Sequence, residues 1–452
     1  MLGRRRFLDA LAIGALGACA SPPRVRPPAA LGGKRVVMIS IDGMRPEYHR
    51  TPDAYGLQIP HLRRLAAEGA SAEGLESVWP TVTYPAHTTM VTGVVPARHG
   101  VAANTPFDPE GASKGQWRWY AEEIRVRALW DATREAGLAS GAMYWPVTVG
   151  AAIDWNVPQI WRSKTDFDDA LLRALSTPGL AREVSAAIGA LPAEHRSDDV
   201  RARAAAWLVR EKRPHLTLAY LTDLDSAQHE HGPFSAQALA TLERIDAGVG
   251  AIVEAARVAG TYDGTTFVVL SDHGFLPVTR TIRPYVLFAK EGLLDLIGTA
   301  VKGWRAAPLV AGGSCGVVLS DASPALRAHV GDVLARVAAD RTLGIRKLYT
   351  EEENAALGGF AGCAFALDAE DGFEFSSSAE GPAVGPSDHA GTHGYAPSRS
   401  ELRASLIVSG RGVRRGASLG VPRMIDVAPT VARLLGVSLP DATGKAIDAA
   451  LA

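Results

Sequence analysis

The sequence predicts an α/β protein with a mostly parallel central sheet, helices on both faces and an inserted cap region. Three observations predict it. Nearly unbroken apolar runs of strand length recur along the chain, as strands buried on both faces require. Segments with helical periodicity separate those runs. Several of the runs end in Asp or His, at the strand ends where open α/β sheets bind ligands.

The elements follow in order. Residues 35–41 are apolar after Arg35 and are closed by Asp42-Gly43, which suits a buried first strand. Residues 59–69 read as a helix, with Leu62, Leu65 and Ala66 at helical spacing. Residues 138–144 resemble a strand, and 181–191 and 200–210 resemble helices. Residues 216–221 form a strand, 236–259 a long helix, 266–270 and 405–408 further strands, and 424–435 a closing helix. Two stretches interrupt this alternation. Residues 106–166 are rich in Trp and poor in periodic elements. Residues 279–386 lie between two chemical motifs. Both are expected to be insertions on one edge of the sheet, the second capping the site.

The chain has 452 residues, 47% of them hydrophobic, enough for a large core. Lys and Arg number 47 against 48 Asp and Glu, which argues against macromolecular nucleic acid as a partner. The N-terminus carries Arg4-Arg5-Arg6-Phe7-Leu8 before an apolar stretch from Leu11 to Ala18. That is an export-signal pattern of twin-arginine type, too short to span a membrane. Leu16-Gly17-Ala18-Cys19 resembles a bacterial lipobox, and residues 21–33 have a tether's composition. Residues 1–33 are therefore expected to be export signal and tether, and 34–452 the catalytic domain. The expected location is periplasmic, with a lipid anchor on Cys19; the alternative is that Cys19 is incidental to an ordinary cleavage site. Of the other two cysteines, Cys315 and Cys363 either pair or stay as buried thiols.

Four segments share one layout: a strand, or a shorter lead, ending in an acidic or His-containing loop. They contain Asp42, Asp225 with His229, Asp272 with His273, and His393. Three Asp and three His suit borderline-to-hard divalent metals, zinc above all. A single Asp-Gly is only a common turn; four such segments together point to a metal site. Residues 80–93 read as a loop entering a helix that begins near Thr83. A hydroxyl there sits by free amides and the positive dipole end, where phosphate binds. Alone, Thr83 would read as a helix cap; beside metal ligands it reads as a nucleophile.

These segments resemble the alkaline phosphatase superfamily, and most closely its type I phosphodiesterase/nucleotide pyrophosphatase branch, over residues 36–445. The carrying motifs are Thr83-Tyr84-Pro85, Thr92-Gly93, His99-Gly100, Asn104, the Asp225-to-His229 segment, Asp272-His273-Gly274 and His393-Gly394-Tyr395. The resemblance implies two divalent metals, most simply Zn²⁺. One would take Asp42, Thr83, Asp272 and His273; the other would take Asp225, His229 and His393. It implies that Thr83 attacks phosphorus to form a phosphothreonine. Asn104 and the amide of Thr83 or Tyr84 would hold a phosphoryl oxygen. Metals roughly 4 Å apart can clamp both ends of an in-line displacement.

Substrate contacts are expected from Tyr84, which corresponds to a base-stacking aromatic, and from Trp161. Trp145 and Trp155 are alternatives that would otherwise pack the first insertion, and Arg162 and Lys164 could meet further phosphates. The partner would be a small phosphoester, including nucleotides. His389 and Asp223 compete with His393 and Asp225 and are left as supporting residues. His87 and His99 are expected to make packing or backbone contacts, and Glu230 and His231 to be solvated. A phosphomonoesterase or phosphonate hydrolase of the same superfamily is the nearest alternative. A sulfatase lacks its Cys/Ser-x-Pro-x-Arg segment here. A catalytically silent periplasmic binding lipoprotein would have lost ligands that this chain keeps.

Overall fold

The apolar run at residues 35–41 forms Arg35–Ile41 (β1), buried at every position after Arg35. The computed structural model describes residues 33–113, 116–160, 166–189 and 197–452. The export signal, Cys19, Trp161, Arg162 and Lys164 lie outside them. The other strands of the central sheet are Ala70–Ser71 (β2), Ser140–Met143 (β3), Trp155–Val157 (β4), Leu216–Leu221 (β5), Thr265–Leu270 (β6), Leu406–Gly410 (β7) and Ala417–Ser418 (β8). Their order is β8-β2-β7-β6-β1-β5-β3-β4. From β6 to β4 every pairing is parallel, with Ile39 of β1 opposite Ala219 and Val269. β7 runs antiparallel to β6.

Strand geometry explains the two cores. Alternate residues of a strand point to opposite faces. Val37, Ile39 and Ile41 pack on one face with Leu62, Leu242, Ile245 and Val249 from the helices Pro60–Glu68 and Ala236–Val258. Val36 and Met38 pack on the other with Met90, Leu129 and Val431 from Thr83–Thr92, Leu129–Glu135 and Val427–Leu435. A strand with two apolar faces reads as an unbroken run, which is why β1, β5 and β6 were legible.

Both expected insertions are more ordered than their composition suggested. Residues 106–166 are not only edge decoration, because they supply β3 and β4 and a helix. Trp145 is fully buried in the second core, and Trp155 opens β4 and packs on the first, so both serve the fold. The segment after β6 builds a lobe with its own core. Strand Leu276–Ile282 pairs with Gly372–Phe375, Val384–Pro386 and Gly391–Thr392. A second, antiparallel sheet of Ala306–Ala311, Ser314–Leu319, Phe365–Ala369 and Ile345–Thr350 carries the helix Pro324–Ala339. Phe288, Val317, Val330, Leu334 and Leu367 close it. Cys315 and Cys363 are both free and buried, the thiol alternative rather than the disulfide.

Replacing Ile39, fully buried in the middle of the sheet, with Ala removes contacts from the larger core. The expected loss is about 2–5 kcal/mol of unfolding free energy, checked by urea denaturation of metal-loaded Ile39→Ala against the parent.

Candidate active site

The parallel strands deliver their following loops to one end of the sheet. Asp42 follows β1, Asp272 and His273 follow β6, and the helix Asp223–His231 follows β5. Asp225 and His229 stand four apart on that helix and so share a face. His393 arrives from the lobe, directly after Gly391–Thr392. Gly394 makes that arrival feasible: its φ is +98°, and a Cβ there would lie 2.0 Å from the Ala311 carbonyl oxygen.

Six predicted ligands converge. His273 Nε2 lies 3.2 Å from both Asp42 Oδ1 and Asp272 Oδ2. Asp225 Oδ1 lies 3.5 Å from His229 Nε2 and 3.6 Å from His393 Nε2. The His273 and His393 rings stack at 3.5 Å, which joins the two groups. By mutual approach of donor atoms, one set is Asp42, Asp272 and His273, and the other is Asp225, His273 and His393. His273 thus stands between the two sets, and His229 reaches the second through Asp225.

The hydrogen bonds fit a metal. Each histidine has its Nδ1 on a backbone carbonyl: His229 on Gly391 at 2.9 Å, His273 on Gly274 at 3.1 Å, His393 on Thr81 at 2.9 Å. That fixes the tautomer and turns Nε2 inward. Two of the three carboxylates, Asp42 and Asp272, are half-held in the same way. Asp42 Oδ2 accepts the Tyr220 hydroxyl. Asp272 Oδ1 accepts the amides of Gly43 and His273, each at 3.1 Å. What remains is a set of buried atoms with no partner: Asp42 Oδ1, Asp225 Oδ1, Asp272 Oδ2 and His273 Nε2. Buried polar atoms are normally satisfied, so this inward-facing set fits divalent cations.

Electrostatics agree. Burial, then repulsion from Asp272 and Asp225, pushes the Asp42 carboxyl well above the ordinary range. Burial, opposed by His229, raises Asp225 to about 6. Burial holds His273 and His393 far below the usual imidazole value, keeping them neutral. A neutral imidazole is the form that binds metal.

Thr83 is the first residue of the helix Thr83–Thr92; Val82 occupies the cap position. The threonine hydroxyl is therefore not the cap. His87 ties this turn to the metal ligands: its Nδ1 donates to the Thr83 carbonyl at 2.9 Å and lies 3.7 Å from Asp272 Oδ2. The Tyr84 amide donates to Asn104 Oδ1 at 2.8 Å, which leaves the Thr83 amide and the Asn104 NH₂ as donors for a phosphoryl oxygen.

A cavity of about 640 Å³ opens beside this cluster, lined among others by Asn104, Trp117, His229, Arg283, Tyr285 and His393. Tyr84 does not face it. Its ring is 1% exposed, enclosed by Val101 and Val147, so the expected stacking role is not available to it in this structure. It meets Trp117 edge-on, with ring centroids 5.1 Å apart, and Trp117 does line the cavity. The competing residues have separate positions. Asp223 accepts the Asp198 amide. His389 holds the buried Glu374 through Nδ1 at 3.0 Å, with its ring 5.0 Å from that of His229. His99 meets the Thr89 hydroxyl at 3.0 Å, and Glu230 and His231 are exposed.

Sequence reasoning missed Tyr220, Thr81 and Trp117. Tyr220 lies beside Ser40 in the β1–β5 register, a relation that only pairing reveals. Thr81 orients His393 through its carbonyl, and its hydroxyl accepts the Gly394 amide.

Asp and His at the strand ends of such a sheet, beside a threonine at a helix start, make a candidate metal site in an α/β protein. The family model "Type I phosphodiesterase / nucleotide pyrophosphatase" matches residues 36–396, and the chain belongs to that family. It is 27% identical to human ectonucleotide pyrophosphatase/phosphodiesterase family member 1 over 267 residues, 57% of this chain and 25% of that protein. It is 22% identical to the venom phosphodiesterase of Naja atra over 283 residues, 59% of this chain and 29% of that one. The matches span about a quarter of the length of these curated relatives. Among solved structures, an inactive murine ectonucleotide pyrophosphatase/phosphodiesterase 5 in complex with AMP shares the fold. Its TM-score is 0.65 at 18% identity, covering 91% of this chain and 97% of that one.

The raised carboxyls carry a sign. In the metal-free protein, Asp225 favours folding when protonated; that contribution is present below pH 3.8 and lost as pH rises to about 6. Bound cations reverse the penalty. Chelation at pH 7.5 is therefore expected to lower the melting temperature. Asp42→Asn should melt a few degrees above the parent when both are metal-free, and should lose most of the metal-induced rise. Differential scanning calorimetry with and without zinc reads both effects.

Proposed function

We propose that this chain is an exported, metal-dependent hydrolase of phosphodiester or pyrophosphate bonds that acts on small, nucleotide-type phosphoesters through a phosphothreonine on Thr83. One observation carries the reading: buried, unpartnered Asp and His atoms converge beside a threonine at the start of a helix. Two divalent cations, most simply Zn²⁺, would be held by Asp42, Thr83, Asp272 and His273 and by Asp225, His229 and His393. When bound they supply Lewis acidity at the attacking and leaving oxygens.

The chain's own groups do the rest. Thr83 Oγ loses its proton and attacks phosphorus in line, forming an O–P bond while the bond to the leaving alcohol or phosphate breaks. Asn104 NH₂ and the Thr83 amide donate to the oxygen that gains charge. Water then attacks phosphorus, and Thr83 Oγ leaves and recovers a proton. His87 holds the first helical turn against Asp272 throughout. The cavity volume leaves room for a nucleotide-sized group beside the cluster. Trp117 offers a flat surface there, and Arg283 and Tyr285 from the lobe support its reading as a cap over residues 279–386. The relative in complex with AMP supports a nucleotide substrate. Export by residues 1–33, with a lipid anchor on Cys19, rests on the basic-apolar N-terminus and the lipobox-like segment.

Zinc-loaded enzyme should hydrolyse bis-nitrophenyl phosphate faster than the monoester; the reverse order would favour the monoesterase reading. Thr83→Ala should show no turnover while still binding zinc. Asn104→Ala should lose roughly 10²–10³ in kcat. Trp117→Ala should raise KM for a nucleotide diester by the equivalent of about 1–3 kcal/mol and leave bis-nitrophenyl phosphate nearly unaffected; steady-state kinetics on both substrates separates the two.

A further inference from the structure

The opposite end of the sheet has its own chemistry. Asp42 and Arg35 bracket β1, seven residues apart, roughly 23 Å of extended chain. Lys34 precedes β1 and Arg35 opens it, Arg213 precedes β5, and Arg411 follows the antiparallel β7, so all four sit at the end away from the candidate metal ligands. A recess of about 190 Å³ is lined there by Lys34, Arg35, Thr266, Arg411 and Arg433. The loop after β7 continues with Arg414 and Arg415. Lys34, Arg213, Arg411, Arg414 and Arg415 are exposed.

Six of these cations are uncompensated. Arg433 pairs with Asp448, but among the described residues Lys34, Arg35, Arg213, Arg411, Arg414 and Arg415 have no ion pair. Arg213 is close enough to Arg35 to add to the burial that lowers its guanidinium pKa. Arg35 Nε is buried with no partner. Among the described residues, no Asp or Glu lines the recess. In a chain whose total charge is −1, this is a local concentration of positive charge on one face.

We infer that this face docks on an anionic phospholipid surface, with Lys34, Arg35, Arg213, Arg411, Arg414 and Arg415 meeting headgroup phosphates. Strand polarity then points the metal cluster and its cavity away from the membrane, toward soluble substrate. Clustered cations are drawn to an anionic leaflet, and the attraction is screened by salt. The docking surface lies wholly within the described residues and uses none of the catalytic groups.

The test compares the full chain carrying Cys19→Ser with the same chain carrying also Arg411→Glu, Arg414→Glu and Arg415→Glu. Both keep the same N-terminal residues, so the difference between them reports the patch. Co-sedimentation with phosphatidylglycerol-containing vesicles should be salt-sensitive for the first protein and weaker on the order of a hundredfold for the second. Both should hydrolyse bis-nitrophenyl phosphate equally, which shows that the variant is folded; an Arg→Gln triple variant should fall between them. Equal binding by both proteins, or equal binding to pure phosphatidylcholine vesicles, overturns the inference. Full displacement by inorganic phosphate at constant ionic strength also overturns it, in favour of a soluble-anion site.

Discussion

Five of the predicted metal ligands, Asp42, Asp272, His229, His273 and His393, are each held through one side-chain atom with the other turned toward the cluster, and the rest of the structure is arranged around that condition. Tyr220 holds one oxygen of Asp42, and backbone amides hold one oxygen of Asp272. Three carbonyls hold the Nδ1 atoms of His229, His273 and His393. Three carboxylates so close together in a buried place repel one another, and desolvation adds to the cost. Only a rigid surround keeps such a cluster assembled. The buried sheet provides it, because the strand ends that carry Asp42 and Asp272 cannot separate without breaking the β1–β6 ladder.

The same rigidity explains why the segment around Thr83 is joined to the cluster at two points. The Thr81 carbonyl receives His393, and the Thr83 carbonyl receives His87, which faces Asp272. A small movement of the loop before the Thr83–Thr92 helix would therefore disturb both metal groups. Catalysis by positioning depends on this kind of coupling, since misplacement of a reacting group by about 1 Å can cost two orders of magnitude. The lobe enters the same network through Gly391 and His393, so the part of the chain that walls the cavity also supplies a candidate ligand.

The two ends of the sheet divide the molecule chemically. Acidic and imidazole groups gather where the parallel strands end, and cations gather where they begin. A near-zero total charge conceals this arrangement. The aromatic after Thr83 shows how local context decides a role. Tyr84 belongs to the helix that packs on the sheet and is enclosed by Val101 and Val147, while Trp117, from a stretch of sequence without periodic pattern, reaches the cavity.

By itself the sequence determined the α/β class, because strands buried on both faces must be apolar throughout and helices must repeat near every fourth residue. It also determined the ligand types, because strand-end Asp and His segments and the Thr83-Tyr84-Pro85 motif are local patterns. Tertiary structure decided what depends on register and packing. Tyr220 meets Asp42 only because β5 pairs with β1, and Thr81 meets His393 across more than three hundred residues. The strand read at residues 138–144 is β3, whereas the Trp-rich stretch hid β4 because a three-residue strand is too short to show a period. Cys315 and Cys363 could not be read as free thiols until their surroundings were known. Local pattern fixes which groups a chain can offer; only pairing and packing fix which of them meet.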